Sequence, residues 1–132
     1  MTFKFINPEE LGAPSGFSHG VLTDQGPRLL FIAGQIAWDN KQTIVSDDFV
    51  EQFDRALANV IAVVVGAGGA ADQIARLIIY VTDKQEYRRR TREVGERYRA
   101  HMGKHFPAMV LVEVKGLLDD RAKVEIEGIA TV

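Results

Sequence analysis

Two segments near the C-terminus, residues 106–114 and 124–130, constrain the fold more than any other part of the chain. Both alternate residue by residue, and successive side chains of a strand point to opposite faces of a sheet. In the first, Val110, Val112 and Val114 share one face while Met109, Leu111 and Glu113 share the other. In the second, Val124, Ile126 and Gly128 separate from Glu125, Glu127 and Ile129 in the same way. One face is purely apolar and is expected against helices. The other mixes carboxylates with apolar groups, so it is either washed by solvent, the commoner outcome for an antiparallel sheet, or buried against a second subunit around a polar site.

The remaining elements follow from punctuation and period. Asp48 with Glu51 three residues later is a capping-box-like start, and Phe49, Phe53, Ala56, Leu57, Val60, Ile61 and Val64 recur at helical spacing. A helix is therefore predicted over 48–65, ended by Gly66-Ala67-Gly68-Gly69. That glycine cluster follows a helix, whereas a phosphate-binding loop precedes one, so it is a terminator. A β-rich run, Leu77 to Val81, comes next. Asp83 with Glu86 then begins a second helix reaching about Met102, with a thinner stripe of Tyr87, Val94, Tyr98 and Met102. Upstream, Leu29 to Gln35 reads as a strand. Gly12, Pro14, Gly16, Gly20 and Asp24-Gln25-Gly26-Pro27 mark short strands and turns around Phe17 to Leu22.

This order predicts one α+β domain over 1–132, with a mainly antiparallel or mixed sheet and two helices on one face. Leu77, Ile79 and Val81 with Val110, Val112 and Val114 are expected to face the helices. Ile78, Tyr80, Met109, Leu111, Glu113, Glu125 and Gln35 are expected on the opposite face, which is too apolar to be left in water. A homo-oligomer is expected to cover it.

Composition narrows the function. The absence of cysteine excludes a disulfide framework, a thiolate zinc site and a cysteine nucleophile. A net charge of -2 gives no global bias toward nucleic acid or anionic membrane. No apolar run approaches a membrane span and the N-terminus is too short and polar for a signal peptide, so a soluble cytoplasmic protein is expected. No closely spaced ligand set supports a metal site, and no cofactor is expected.

Several segments carry a resemblance: Pro14-Ser15-Gly16-Phe17-Ser18-His19, Phe31-Ile32-Ala33-Gly34-Gln35-Ile36, Ala56-Leu57-Ala58-Asn59-Val60, Tyr80-Val81-Thr82-Asp83, Phe106-Pro107-Ala108, and Val124 to Ala130. In this order and spacing the chain resembles the RidA/YjgF family of reactive-intermediate deaminases. The resemblance implies a chorismate-mutase-like fold and a homotrimer with clefts lined by adjacent subunits. It also implies hydrolysis of imines and enamines, especially 2-imino acids, to a carbonyl compound plus ammonia. The family's Pro-Ala-Arg pattern holds the substrate carboxylate, and here the arginine position is Met109. A thioether cannot replace that charged hydrogen bond, which is worth on the order of 1.5–3 kcal/mol. The family's helix asparagine aligns without gaps to Arg92 and its N-terminal tyrosine to Phe17, while the water-activating carboxylate matches Glu125, which is intact.

The resemblance thus points to a small-molecule cleft with Glu125 as candidate base and Phe17, His19, Gly34, Gln35, Arg92, Met109, Leu111 and Glu113 as candidate binding residues. Each has a plainer alternative. Glu113 is equally an interface ion-pair partner, Gln35 a turn-stabilising amide, and Arg92 a solvated helix arginine beside Arg88, Arg89 and Arg90. His19 and His105 are proton shuttles or structural histidines, and Trp38 is a pocket wall or interface packing. The Arg-rich helix is interleaved with Glu86, Glu93 and Glu96 and shows no exposed aromatic stripe, so no nucleic-acid partner is expected. Two readings stay open: an imine deaminase acting on something other than a simple 2-imino acid, and a non-catalytic small-molecule-binding or chaperone-like trimer.

Overall fold

A computed structural model describes residues 3–15, 17–23 and 28–132. The turns expected at Gly16 and at Asp24-Gln25-Gly26-Pro27 lie outside them. Six strands form one sheet in the order β1-β2-β3-β6-β4-β5. They are β1 (Phe3–Ile6), β2 (Gly20–Thr23), β3 (Leu29–Gln35), β4 (Ile74–Val81), β5 (Ala108–Glu113) and β6 (Val124–Thr131). All neighbours pair antiparallel except β4 and β5, which are parallel. The mixed α+β sheet expected from the sequence is present.

Helix α1 (Phe49–Gly66) starts where the capping pattern puts it, with the Asp48 side chain accepting from the Glu51 backbone N–H at 3.0 Å. Its apolar stripe, including Phe49, Phe53, Leu57, Val60 and Val64, is fully buried against Leu22, Leu30, Leu77 and Ile126 of the sheet. Side chains of this kind stabilise by about 1.5–3 kcal/mol each when withdrawn from water.

The second helical region differs from expectation. It is two helices, α2 (Lys84–Arg89) and α3 (Thr91–Met102), broken at Arg90. At the break, the Arg90 guanidinium bonds both Glu93 and Asp48, the N-cap of α1. The junction is thereby pinned to the start of the neighbouring helix, and the apolar residues of α3, Val94, Tyr98 and Met102, complete the core.

Strand faces follow from register. Leu77, Ile79 and Val81 are buried under the helices as expected, and Val124 and Ile126 pair beside Val81 and Ile79. Strand β5 is reversed from the expectation. Parallel pairing sets Met109 beside Leu77, Leu111 beside Ile79 and Glu113 beside Val81, so these three lie on the helix side. Val110 and Val112, beside Ile78 and Tyr80, lie on the open side and are 42 % and 38 % exposed. The apolar row of an edge strand need not be its core row. Here the helices reach only as far as Leu111, so the valines end on the uncovered face. That face also carries Phe5 and Phe31, both exposed, with Glu125 and Glu127 in the middle.

Candidate functional site

Glu125 comes from the first turn of alternation in β6 and projects from the open face beside Tyr80. Across it lies a shift in the β3–β6 register between Ile32 and Gln35. This irregularity brings the backbone of Gly34 under the Glu125 side chain, so that a Cβ on Gly34 would meet Glu125 Oε1 at 2.6 Å and Cδ at 2.9 Å. Glycine at 34 is what lets the carboxylate lie there.

The two residues share a cavity of about 500 Å³ at the end of the open face. Ala33, Gly34, Ile36 and Trp38 form one wall, and Leu117, Leu118 and Asp119 of the β5–β6 connection form the other, with Phe17 at the rim. Burial, and next the negative charge of Glu127, pushes the Glu125 carboxyl above the usual carboxylate range. Glu127 in turn accepts a hydrogen bond from the Tyr80 hydroxyl.

His19 and Gln35 sit behind this cavity, both fully buried. His19 Nε2 lies 3.1 Å from the Gly12 carbonyl, which can only accept, so Nε2 carries the proton. Nδ1 then accepts from the Gln35 amide at 3.1 Å, and the same amide reaches the Ala33 carbonyl at 3.3 Å. Burial lowers the His19 pKa, leaving a neutral imidazole. Its ring meets Phe17 edge-on at 5.1 Å and Trp38 at 6.2 Å, while Phe17 stacks on Trp38 at 6.5 Å. His19 and Gln35 therefore support the aromatic wall from within. Gln35 Oε1 and Trp38 Nε1 are buried without a hydrogen-bond partner among the described residues.

The other candidates lie elsewhere in the protomer. Met109 lines a groove of about 210 Å³ on the helix side with Tyr87, Thr91, Tyr98 and Phe106. Leu111 packs on the core beside it. Glu113 accepts from the Lys84 backbone N–H at 2.9 Å and so joins Asp83 at the start of α2. Arg92 points to solvent, with its side chain 92 % exposed and Glu96 at 3.6 Å. Thr91, one residue earlier, is the position that faces the groove. His105 bonds the Ile74 carbonyl, away from Glu125. Within one protomer, Glu125, Gly34 and Phe17 meet; Met109, Leu111, Glu113 and Arg92 do not join them.

Two amides of α1 shape the site without being among the candidates named from the sequence. Asn59, on the buried side of α1, donates from Nδ2 to the Ile36 and Trp38 carbonyls at 3.0 Å each. Gln52, two helical turns earlier, donates to the Ser46 and Arg121 carbonyls and accepts from the Lys123 N–H. One amide holds the Trp38 wall and the other holds the approach to β6. Their signal was available: two amides seven residues apart inside an apolar helical stripe. Among the described residues, no group of three His, Cys, Asp or Glu side chains is arranged to hold a metal, and no helix is long and apolar enough to cross a membrane.

A six-stranded mixed sheet with helices on one side and a half-buried carboxylate in an apolar cavity on the other defines a small α+β protein with its main carboxylate-bearing cavity on the open face. A sequence profile described as Endoribonuclease L-PSP matches residues 8–132, and the chain belongs to this family, that of the YjgF/RidA/RutC proteins. It is 35 % identical over 102 residues to a RutC family protein of Pyrococcus horikoshii, covering 76 % of this chain and 77 % of that one. It is 34 % identical over 105 residues to the 2-iminobutanoate/2-iminopropanoate deaminase of Salmonella typhimurium, covering 77 % and 78 %. The crystal structure of the YjgF gene product of E. coli superposes with a TM-score of 0.81 at 32 % identity, over 97 % of this chain and 98 % of that one.

Proposed function

We propose that the protein hydrolyses an imine or enamine to a carbonyl compound and ammonia in the Glu125 cavity. The observation that carries this reading is a carboxylate raised in pKa by burial, lying over Gly34 at the floor of an apolar pocket. Water bonds to the C=N carbon as Glu125 takes one of its protons and hands it to the nitrogen, giving a carbinolamine; the hydroxyl proton then passes through the same carboxylate to the nitrogen as the C–N bond breaks and the C=O bond forms. The products balance as one carbonyl group and one ammonia for each imine and water, with no oxidant or reductant. A carboxyl raised toward working pH suits both halves of that exchange. The deaminase relative from Salmonella supports the reaction class.

The catalytic assembly is a homotrimer whose clefts form between subunits. Exposed Phe5, Phe31, Val110 and Val112 on the open face favour association. Because Met109 and Glu125 lie on opposite sides of one sheet, a cleft that contains both draws them from different subunits. Among the described residues lining the Glu125 cavity the charged ones, Glu125 and Asp119, are acidic, which disfavours RNA as substrate despite the profile's description. The experiment is ammonia release from imines generated in situ, by the protein and by Glu125→Gln. Loss of release in the variant supports the reading, and an unchanged variant removes it in favour of a non-catalytic binding module.

A further inference from the structure

The Glu125 cavity has a composition that selects ligand charge as well as ligand size. Among the described residues of one protomer, the ionisable groups that line it, Glu125 and Asp119, are both acidic. His19, the nearest imidazole behind the wall, is kept neutral by burial and spends both ring nitrogens on Gly12 and Gln35. The rest of the lining is apolar or aromatic, with Phe17 and Trp38 stacked at the mouth. The helix arginines nearest in sequence to the expected pocket contribute nothing from the same protomer: Arg92 is paired with Glu96 and Arg90 with Glu93 and Asp48.

We propose that this cavity takes a cationic nitrogen carrying an apolar or aromatic substituent and no carboxylate, which for the reaction above means a protonated imine. Carboxylates attract an iminium and aromatic faces add cation–π attraction, both strengthened in a partly dry cavity. The same carboxylates repel the acid group of a 2-imino acid. Stabilising the protonated form also makes the C=N carbon more electrophilic, so binding preference and reactivity point the same way. This inference rests on the reading of Glu125 as the reacting carboxylate, but it makes a claim about binding that needs no turnover.

The chain's single tryptophan, Trp38, lies in the cavity wall and reports occupancy directly. Benzyltrimethylammonium, benzyl alcohol and benzoate share one ring and differ in charge, and are titrated against Trp38 fluorescence above the carboxylate range. The expected order is the cation first, at least about tenfold tighter than the alcohol, with benzoate weakest. Glu125→Gln is expected to abolish most of the preference, and Asp119→Asn, in an exposed loop, part of it. Benzoate binding as tightly as the cation, no saturable change with any probe, or an unaltered preference in both variants overturns the proposal. Ammonia release is measured separately. Turnover of 2-imino acids with a benzoate-preferring cavity would keep the deaminase reading and sink this one, whereas cation preference without turnover would do the reverse.

Discussion

A methyl group placed on Gly34 would lie 2.6 Å from Oε1 of Glu125. The atoms in the way belong to the far end of a flexible side chain, so the fold can yield by moving the carboxylate. Gly34→Ala is therefore expected to change stability by less than about 1 kcal/mol, since it costs no core packing. Imine turnover should fall by at least about tenfold, because a displaced base is a misplaced one. Denaturant unfolding and ammonia release on the same sample check both halves. Full activity would mean that the carboxylate position is not used.

The charge of Glu127 is the second cause of the raised Glu125 pKa, after burial. Removing it with Glu127→Gln lowers the Glu125 pKa toward the ordinary 4.5, so the acid limb of the kcat/KM profile should move to lower pH. The sign also fixes stability. A carboxyl whose folded pKa is raised contributes stability that is present below its unfolded value and is lost as pH rises through the folded value. Glu125→Gln should accordingly raise the Tm above that window and leave it unchanged at lower pH.

His19 has the opposite sign. Its folded pKa is lowered from 6.5 by burial, so its contribution is present above that value and is lost as pH falls through the folded one. Stability is expected to decline as pH drops below 6.5, with Trp38 fluorescence shifting in step because the two rings touch. His19→Gln should flatten both curves in that interval. A decline of unchanged size in the variant would assign the acid sensitivity elsewhere.

Asn59→Leu leaves the Ile36 and Trp38 carbonyls without their shared donor. The Ile36 carbonyl keeps the Trp38 backbone N–H at 2.9 Å, but the Trp38 carbonyl is orphaned, so the variant should be destabilised by about 1–3 kcal/mol by denaturant titration. Asn59→Gln, which keeps the amide but overpacks the site, is not expected to restore it fully.

Much of this arrangement was readable in the sequence, and the exceptions have physical causes. Asp48 and Asp83 marked the helix starts because a capping carboxylate acts on its own neighbours. The alternation of β6 separated Val124 and Ile126 from Glu125 and Glu127 correctly, since a central strand is held from both sides. In β5 the same rule sorted the residues into rows but could not say which row meets the helices. That choice depends on its parallel register with β4 and on how far the helices reach over an edge. Thr91 rather than Arg92 faces the groove, just past the helix break at Arg90, where the guanidinium meets Asp48 in a contact with no local signature. His19 and Gln35 were candidates for ligand contact. Their partnership across sixteen residues, which puts them behind the wall, has no local signature.

The assembly has its own test. Light scattering at micromolar concentration should give three times the 14.6 kDa chain mass. A charge on the open face, as in Phe31→Arg, should reduce that mass while circular dichroism is preserved. A monomeric wild-type protein would remove both the trimer and the shared cleft.

The most direct measurement is ammonia release by the wild-type protein and by Glu125→Gln across a panel of imines made in situ, including cationic imines without a carboxylate. The expected result is release above the buffer rate by the wild type, reduced about 100-fold or more in the variant, as for a general acid–base group. Release from no imine in the panel, or a variant as active as the wild type, would contradict the assignment of Glu125 as the reacting carboxylate.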